Sequence, residues 1–134
     1  MREIDVVGAV IVRDGLVLCA QRGPLGALGG LWEFPGGKLE ADESPAQALA
    51  REIREELLCD VSVGEEVTST RHEYPFAVVT LATYWCELGL VDPVATEHAD
   101  LRWLRPADLG GLDWAPADIP AVDIVREHLN VNAG

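Results

Sequence analysis

The chain has 134 residues, 23 of them Asp or Glu against 10 Lys or Arg, for a formal net charge of −13. That length suits one domain spanning residues 1–134 with a real core, and 49% hydrophobic residues exclude a disordered acidic tail. So acidic a surface repels nucleic-acid backbones, which excludes long nucleic acid as a partner, and it repels mononucleotides unless something positive intervenes.

In chain order, residues 4–13 are rich in Val and Ile and predict a strand. Asp14-Gly15 then separates it from a second run, Leu16–Gln21. Asp-Gly between two β-prone runs signals a hairpin, because a type I′ turn needs positive φ at both central residues. The glycine-rich stretch 23–30 predicts a loop, and Leu31–Phe34 a short strand ended by Pro35-Gly36-Gly37.

A helix begins at Ser44 as N-cap, with Pro45 at the first helical position and Gln47 completing a capping box, and runs through about Leu58. Two strands follow at roughly 60–70 and 76–87, broken near Tyr74-Pro75, then a short strand at Leu101–Leu104. A last helix has Pro120 in its first turn and Val122, Val125 and Leu129 as core anchors. This order predicts an α/β fold in which a mixed sheet lies between helices, an α/β/α sandwich.

Three cysteines, Cys19, Cys59 and Cys86, are odd in number and have no zinc-ligand spacing, so they read as small buried hydrophobes of an intracellular protein. Met1 to Asp5 is charged at once, and no apolar stretch nears the ~20 residues that span a bilayer. The expectation is a cytoplasmic protein without membrane contact.

At ~100° per residue, Glu52, Glu55 and Glu56 share one arc of the first helix. Ala46, Leu49, Ala50, Ile53 and Leu57 form a neighbouring apolar stripe. Like charges so placed weaken a helix, and two readings fit: a solvated acidic face, or a site for a hard divalent cation with oxygen ligands.

The flanking residues favour the second. Gly37, five residues, Glu43, seven residues, then Arg51-Glu52-Ile53-Arg54-Glu55-Glu56-Leu57 forms one continuous pattern, led in by Trp32-Glu33-Phe34-Pro35-Gly36-Gly37-Lys38. It resembles the Nudix box, and the chain resembles the MutT-like branch of Nudix hydrolases over nearly its whole length. One position departs: Leu58 stands where the box has glycine, so the helix must end without the residue that most readily takes a left-handed turn.

The resemblance implies the Nudix fold and a pyrophosphohydrolase that splits a nucleoside triphosphate into monophosphate and pyrophosphate with Mg²⁺ or Mn²⁺. It implies metal ligands at Glu52, Glu55, Glu56 and the Gly36 carbonyl, with Glu43 and Arg51 as a supporting ion pair. Glu97 matches the general base of MutT-like proteins, with Glu56 as the other candidate and His98 beside it as a structural residue. Arg22 resembles a family arginine near the nucleotide, and Lys38 is a candidate phosphate contact with a solvated loop lysine as the plainer alternative.

Asp118, in Trp114–Pro120, stands where a MutT-like enzyme for oxidised guanine has asparagine. An ionised Asp only accepts and suits the amine of cytosine; a protonated one donates and suits 8-oxoguanine; a turn role is the plainer alternative. Ile4, Val6, Gly8 and Phe76 or Val78 are expected as apolar walls. The leading expectation is a CTP, dCTP or 5-methyl-dCTP pyrophosphohydrolase. The alternatives are a nucleotide-pool sanitation enzyme acting on 8-oxo-dGTP, and a non-catalytic nucleotide sensor. The partner is a small nucleotide, with monomer and homodimer both open.

Overall fold

A computed structural model describes residues 1–133, with side chains described to Asn130. Strand β1 (Glu3–Arg13) turns at Asp14-Gly15 into β2 (Leu16–Gln21). Both turn residues have positive φ, 53° and 78°, as a type I′ hairpin requires. After the loop come two short strands, β3 (Trp32–Glu33) and β4 (Gly36–Lys38), and helix α1 (Pro45–Leu57). Then follow β5 (Val61–Glu73), β6 (Val78–Leu88), β7 (Asp100–Leu104), two 3-10 turns at Pro106–Gly111 and Pro116–Asp118, and α2 (Ile119–Ala133).

The sheet runs β3-β2-β1-β6-β5, with β4 added to β1 and β7 to β2. β1 is the shared spine. It pairs parallel with β6 along Glu3–Ile11, antiparallel with β4 at Val6–Gly8, and antiparallel with β2 at Val12 and Arg13. Alternation along β1 then fills two cores. Val7, Ala9 and Ile11 pack with Ala48, Leu49, Ile53 and Leu57 of α1. Val10 packs on the opposite face with Trp32, Phe34, Trp114, Val122 and Val125. Helices therefore cover both faces of a mixed sheet. All three cysteines are free and buried, and no helix is long and apolar enough to cross a membrane among the described residues.

The structure adds two details to the expected elements. Gly36-Gly37-Lys38 is a strand rather than the end of one, because β1 offers it unpaired backbone at Val6–Gly8. On α1, Ala48 is buried in place of Ala46, which is exposed.

Candidate active site

The acidic end is built on α1. Ser44 Oγ accepts from Gln47 N–H at 3.1 Å while the Gln47 side chain accepts from Ser44 N–H at 2.9 Å, so the capping box is complete. The far end closes at Leu58, which takes the left-handed conformation (φ 54°) that a box glycine would take, its N–H donating to Arg54 O at 3.2 Å.

Arg51 is the hub of this end. Its Nε and Nη2 donate to the two carboxylate oxygens of Glu43 at 2.8 and 3.0 Å, a fork-on-fork pair. Its Nη1 reaches Glu52 at 2.8 Å and Glu55 at 3.4 Å, and Nη2 reaches the Lys38 carbonyl at 3.2 Å. The Arg51 guanidinium holds the Glu43 carboxyl below its ordinary range. Its single charge offsets part of the repulsion among three helix acids and keeps Glu52 and Glu55 oriented.

Gly36 and Gly37 lie against this end, and each is constrained by what a side chain would strike. A Cβ on Gly36 would run into the Val7 carbonyl, and one on Gly37 into the Glu52 carboxylate. Absence of side chains lets β4 pair with β1 on one flank and seat Glu52 on the other.

A cavity of about 240 Å³ opens beside them. Its polar rim carries Arg22, Glu33, Gly36, Gly37, Lys38 and Glu56; its walls include Ile4, Val6, Leu28, Phe34, Tyr74, Val79, Leu81 and Ala117; Asp118 also lines it. Asp118 is only 5% exposed, and its Oδ2 accepts from Phe34 N–H at 2.9 Å. Burial pushes its carboxyl up to about 8 against that hydrogen bond, so it is mostly protonated at neutral pH. The ionised form considered from sequence is thus the minor one. The hydroxyl of Tyr74 accepts from Ala117 N–H at 2.9 Å and fixes this segment over the cavity.

Phe76 and Val78, expected as walls, do not line the cavity. Strand alternation turns Val79 and Leu81 toward it. Phe76 lies in the turn before β6, 47% exposed, and stacks on Tyr74 at 5.0 Å. The Gly8 wall is likewise replaced by its neighbours.

A second cavity of about 360 Å³ continues past Arg22, Glu33 and Glu56 to Gly23, Leu25, Glu97 and His98. Burial pushes the Glu56 carboxyl up to about 7, opposed by His98 and reinforced by Glu52, Glu33 and Glu97. Its Oε2 is buried and has no hydrogen-bond partner. The loop carrying Glu97 is fastened to the end of α1. Thr96 donates to the Glu56 carbonyl from Oγ1 at 2.8 Å and from its backbone N–H at 3.2 Å, and Val94 N–H donates to Leu57 O at 2.8 Å.

Glu33 joins the two cavities and was not singled out from sequence. It accepts from Arg22 Nη1 at 2.9 Å and meets His98 Nε2 at 3.0 Å. The signal available was its place in the lead-in, one residue past the start of β3 and three before Gly36; the bridge itself joins three separate strand ends.

Glu56 and Gly36 lie on the cavity lining, whereas Glu52 and Glu55 do not. Glu55 points outward, its side chain 61% exposed. No group of three or more His, Cys, Asp and Glu side chains converges closely enough to hold a metal ion among the described residues. The donors nevertheless fit a hard cation. They are all oxygens, one buried carboxylate oxygen is unpartnered, and Gly37 carries no side chain to displace the Glu52 carboxylate.

The family description "NUDIX domain" matches residues 6–123. The chain is 43% identical over 123 residues to the CTP pyrophosphohydrolase of Escherichia coli K12, covering 92% of this chain and 91% of that protein. It is 40% identical over 77 residues to the 8-oxo-dGTP diphosphatase of Proteus vulgaris, covering 58% and 69%. The solution structure of a MutT protein from methicillin-resistant Staphylococcus aureus, of the family Nudix hydrolase, superposes with a TM-score of 0.79 at 50% identity, covering 96% and 99%.

Proposed function

The chain belongs to the Nudix hydrolase family and to its MutT-like branch, and from that premise we propose that this nucleotide pyrophosphohydrolase prefers CTP, dCTP or 5-methyl-dCTP. The observation that carries the preference is the small cavity; the protonated Asp118, expected from sequence to suit 8-oxoguanine, can pair with cytosine as well. A neutral carboxylic acid with one oxygen engaged by Phe34 N–H still offers an adjacent donor and acceptor. Cytosine presents the complementary pair on its pairing edge, the N3 acceptor and the N4 amine donor. The cavity of about 240 Å³ is small for a ligand site and suits a one-ring base. The E. coli relative named a CTP pyrophosphohydrolase lends further support.

A second reading, 8-oxo-dGTP, draws on the same neutral acid, because 8-oxoguanine carries an N7–H donor beside its O6 acceptor where guanine has two acceptors. The P. vulgaris relative supports it.

Nudix hydrolases generally act with a divalent metal. Bound here, Mg²⁺ or Mn²⁺ would polarise the phosphoryl group and offset the triphosphate charge. Glu52, Glu55, Glu56 and the Gly36 carbonyl would hold it, with Arg51 and Glu43 keeping the acids oriented. Arg22 and Lys38, on the cavity rim, meet phosphate oxygens. Water attacks a phosphorus of the triphosphate while the neighbouring bridging P–O bond breaks, giving monophosphate and pyrophosphate. Glu97 takes the proton of the water, with Glu56 the alternative acceptor.

The experiment is an assay of nucleoside monophosphate release with Mg²⁺ across CTP, dCTP, 5-methyl-dCTP, dGTP, 8-oxo-dGTP and ADP-ribose. The highest kcat/KM is expected for a cytidine nucleotide; an 8-oxo-dGTP maximum selects the second reading.

A further inference from the structure

Tyr74 is held at both its backbone and its ring. Its N–H donates to Ala77 O at 2.8 Å and its carbonyl accepts from Ala77 N–H at 3.3 Å, closing the turn into β6. The ring meets those of His72 and Phe76 at centroid separations of 4.4 and 5.0 Å. The residue is buried, and its hydroxyl accepts from Ala117 N–H at 2.9 Å.

That bond uses a lone pair of the hydroxyl oxygen. The hydroxyl hydrogen is given to no acceptor among the described residues, although a buried tyrosine O–H ordinarily has one. Tyr74 lines the main cavity together with Ala117 and Asp118. Burial, and then the Asp118 carboxyl, raise its hydroxyl above the ordinary range against the Ala117 bond, so at neutral pH it keeps its hydrogen and can donate. Arg22 and Glu33, on the same lining, also act on it.

We propose that the Tyr74 hydroxyl donates to the 2-keto oxygen of a pyrimidine base and is a specificity-determining residue of the base site. The pairing edge of cytosine carries three groups in a row: the N4 amine, N3 and O2. Asp118 can answer the first two, which leaves O2 as an acceptor in need of a donor. The Ala117 bond pins the hydroxyl to the residue next to Asp118, so the two groups keep a fixed spacing. This rests on the cytidine reading above.

The test compares kcat/KM for CTP and for 2-thio-CTP, in which a weakly accepting sulfur replaces O2, in the wild type and in Tyr74→Phe with Mg²⁺. Tyr74→Phe keeps the ring and removes the hydroxyl. The wild type should favour CTP, and the CTP-to-2-thio-CTP ratio should fall about tenfold in Tyr74→Phe, the worth of one buried hydrogen bond. The size of sulfur is common to both proteins and cancels.

A tyrosine that only anchors Ala117 would, once truncated, slow both nucleotides alike. An unchanged ratio therefore overturns the proposal and leaves the cytidine reading standing. A wild type that prefers 8-oxo-dGTP to CTP overturns that reading and this one with it. Should Tyr74→Phe fail to fold, proton NMR of the wild type decides. CMP should move a tyrosine hydroxyl proton downfield, and 2-thio-CMP should move it less. Equal shifts, or no CMP-dependent hydroxyl proton, overturn the proposal.

Discussion

The α1 flank of the site and the Asp118 wall of the main cavity handle carboxyl groups in opposite ways. At the α1 end, charge is kept and managed: Arg51 binds Glu43, Glu52 and Glu55 together and holds them oriented. At the other end Asp118 is buried among apolar walls without a salt bridge and is driven toward its neutral form. The same residue class is thus held beside an arginine at one end and driven toward a neutral, directional hydrogen-bonding form at the other. Environment decides which. Changes at the first end should act on turnover and metal; changes at the second on base choice.

The largest effect should come from Glu55→Gln or from chelation. Either is expected to lower CTP turnover by orders of magnitude in a pyrophosphate-release assay, with circular dichroism unchanged. Normal activity would break the assignment of the acidic end to metal. Next is Arg51→Lys, which keeps the charge but loses the fork. A 10- to 100-fold fall in kcat/KM is expected, roughly the cost of removing a group that orients metal ligands, with partial recovery at high Mg²⁺.

Asp118→Ala, which removes the donor and the acceptor, should lower the CTP-to-GTP ratio of kcat/KM by roughly tenfold, since one lost base contact costs about 1–3 kcal/mol, while kcat on the better substrate changes less. Its pH dependence has a defined sign. The folded carboxyl sits near 8 and the unfolded one near 3.8, so the folded chain holds a proton that the unfolded chain releases. This contribution to stability is full below 3.8 and is lost as pH rises through about 8. Denaturant melts across that window should fall less steeply in Asp118→Asn.

The smallest effect is Leu58→Gly. Leu58 holds φ 54° at an exposed site, and relieving it should raise stability by about 0.5–1 kcal/mol with kcat untouched. A change in kcat would mean the helix terminus reaches into the metal end.

Local chemistry made the acidic end legible. The capping box and the Asp14-Gly15 hairpin act over a few residues and appear where their patterns predict, and Glu52, Glu55 and Glu56 fall within the expected helix. Leu58 left the helix end open in sequence, and the fold resolves it by accepting a left-handed leucine. Long-range chemistry was less legible. Gly36-Gly37-Lys38 has no side-chain signature of a strand and becomes one only because β1 has free backbone there. Glu33 becomes a bridge only once β2 has drawn β3 and β7 to its two sides. The wall shifts from Phe76 and Val78 to Val79 and Leu81 because the register of β6, set by its pairing with β1, decides which parity faces inward. The protonation of Asp118 depends on burial, which its neighbours in sequence do not display.

The fastening of Val94 and Thr96 to the last turn of α1 has a bearing on how chain length can vary. Between Leu88 and Val94 the backbone owes the site little, and an insertion there lengthens an exposed loop at small entropic cost. Between Val94 and Ala99, whose N–H donates to Gln21 O, a single added residue would break registry at one anchor or the other and displace Glu97 and His98. Natural variation in loop length should therefore stop abruptly at Val94, and grafted segments should be placed before it.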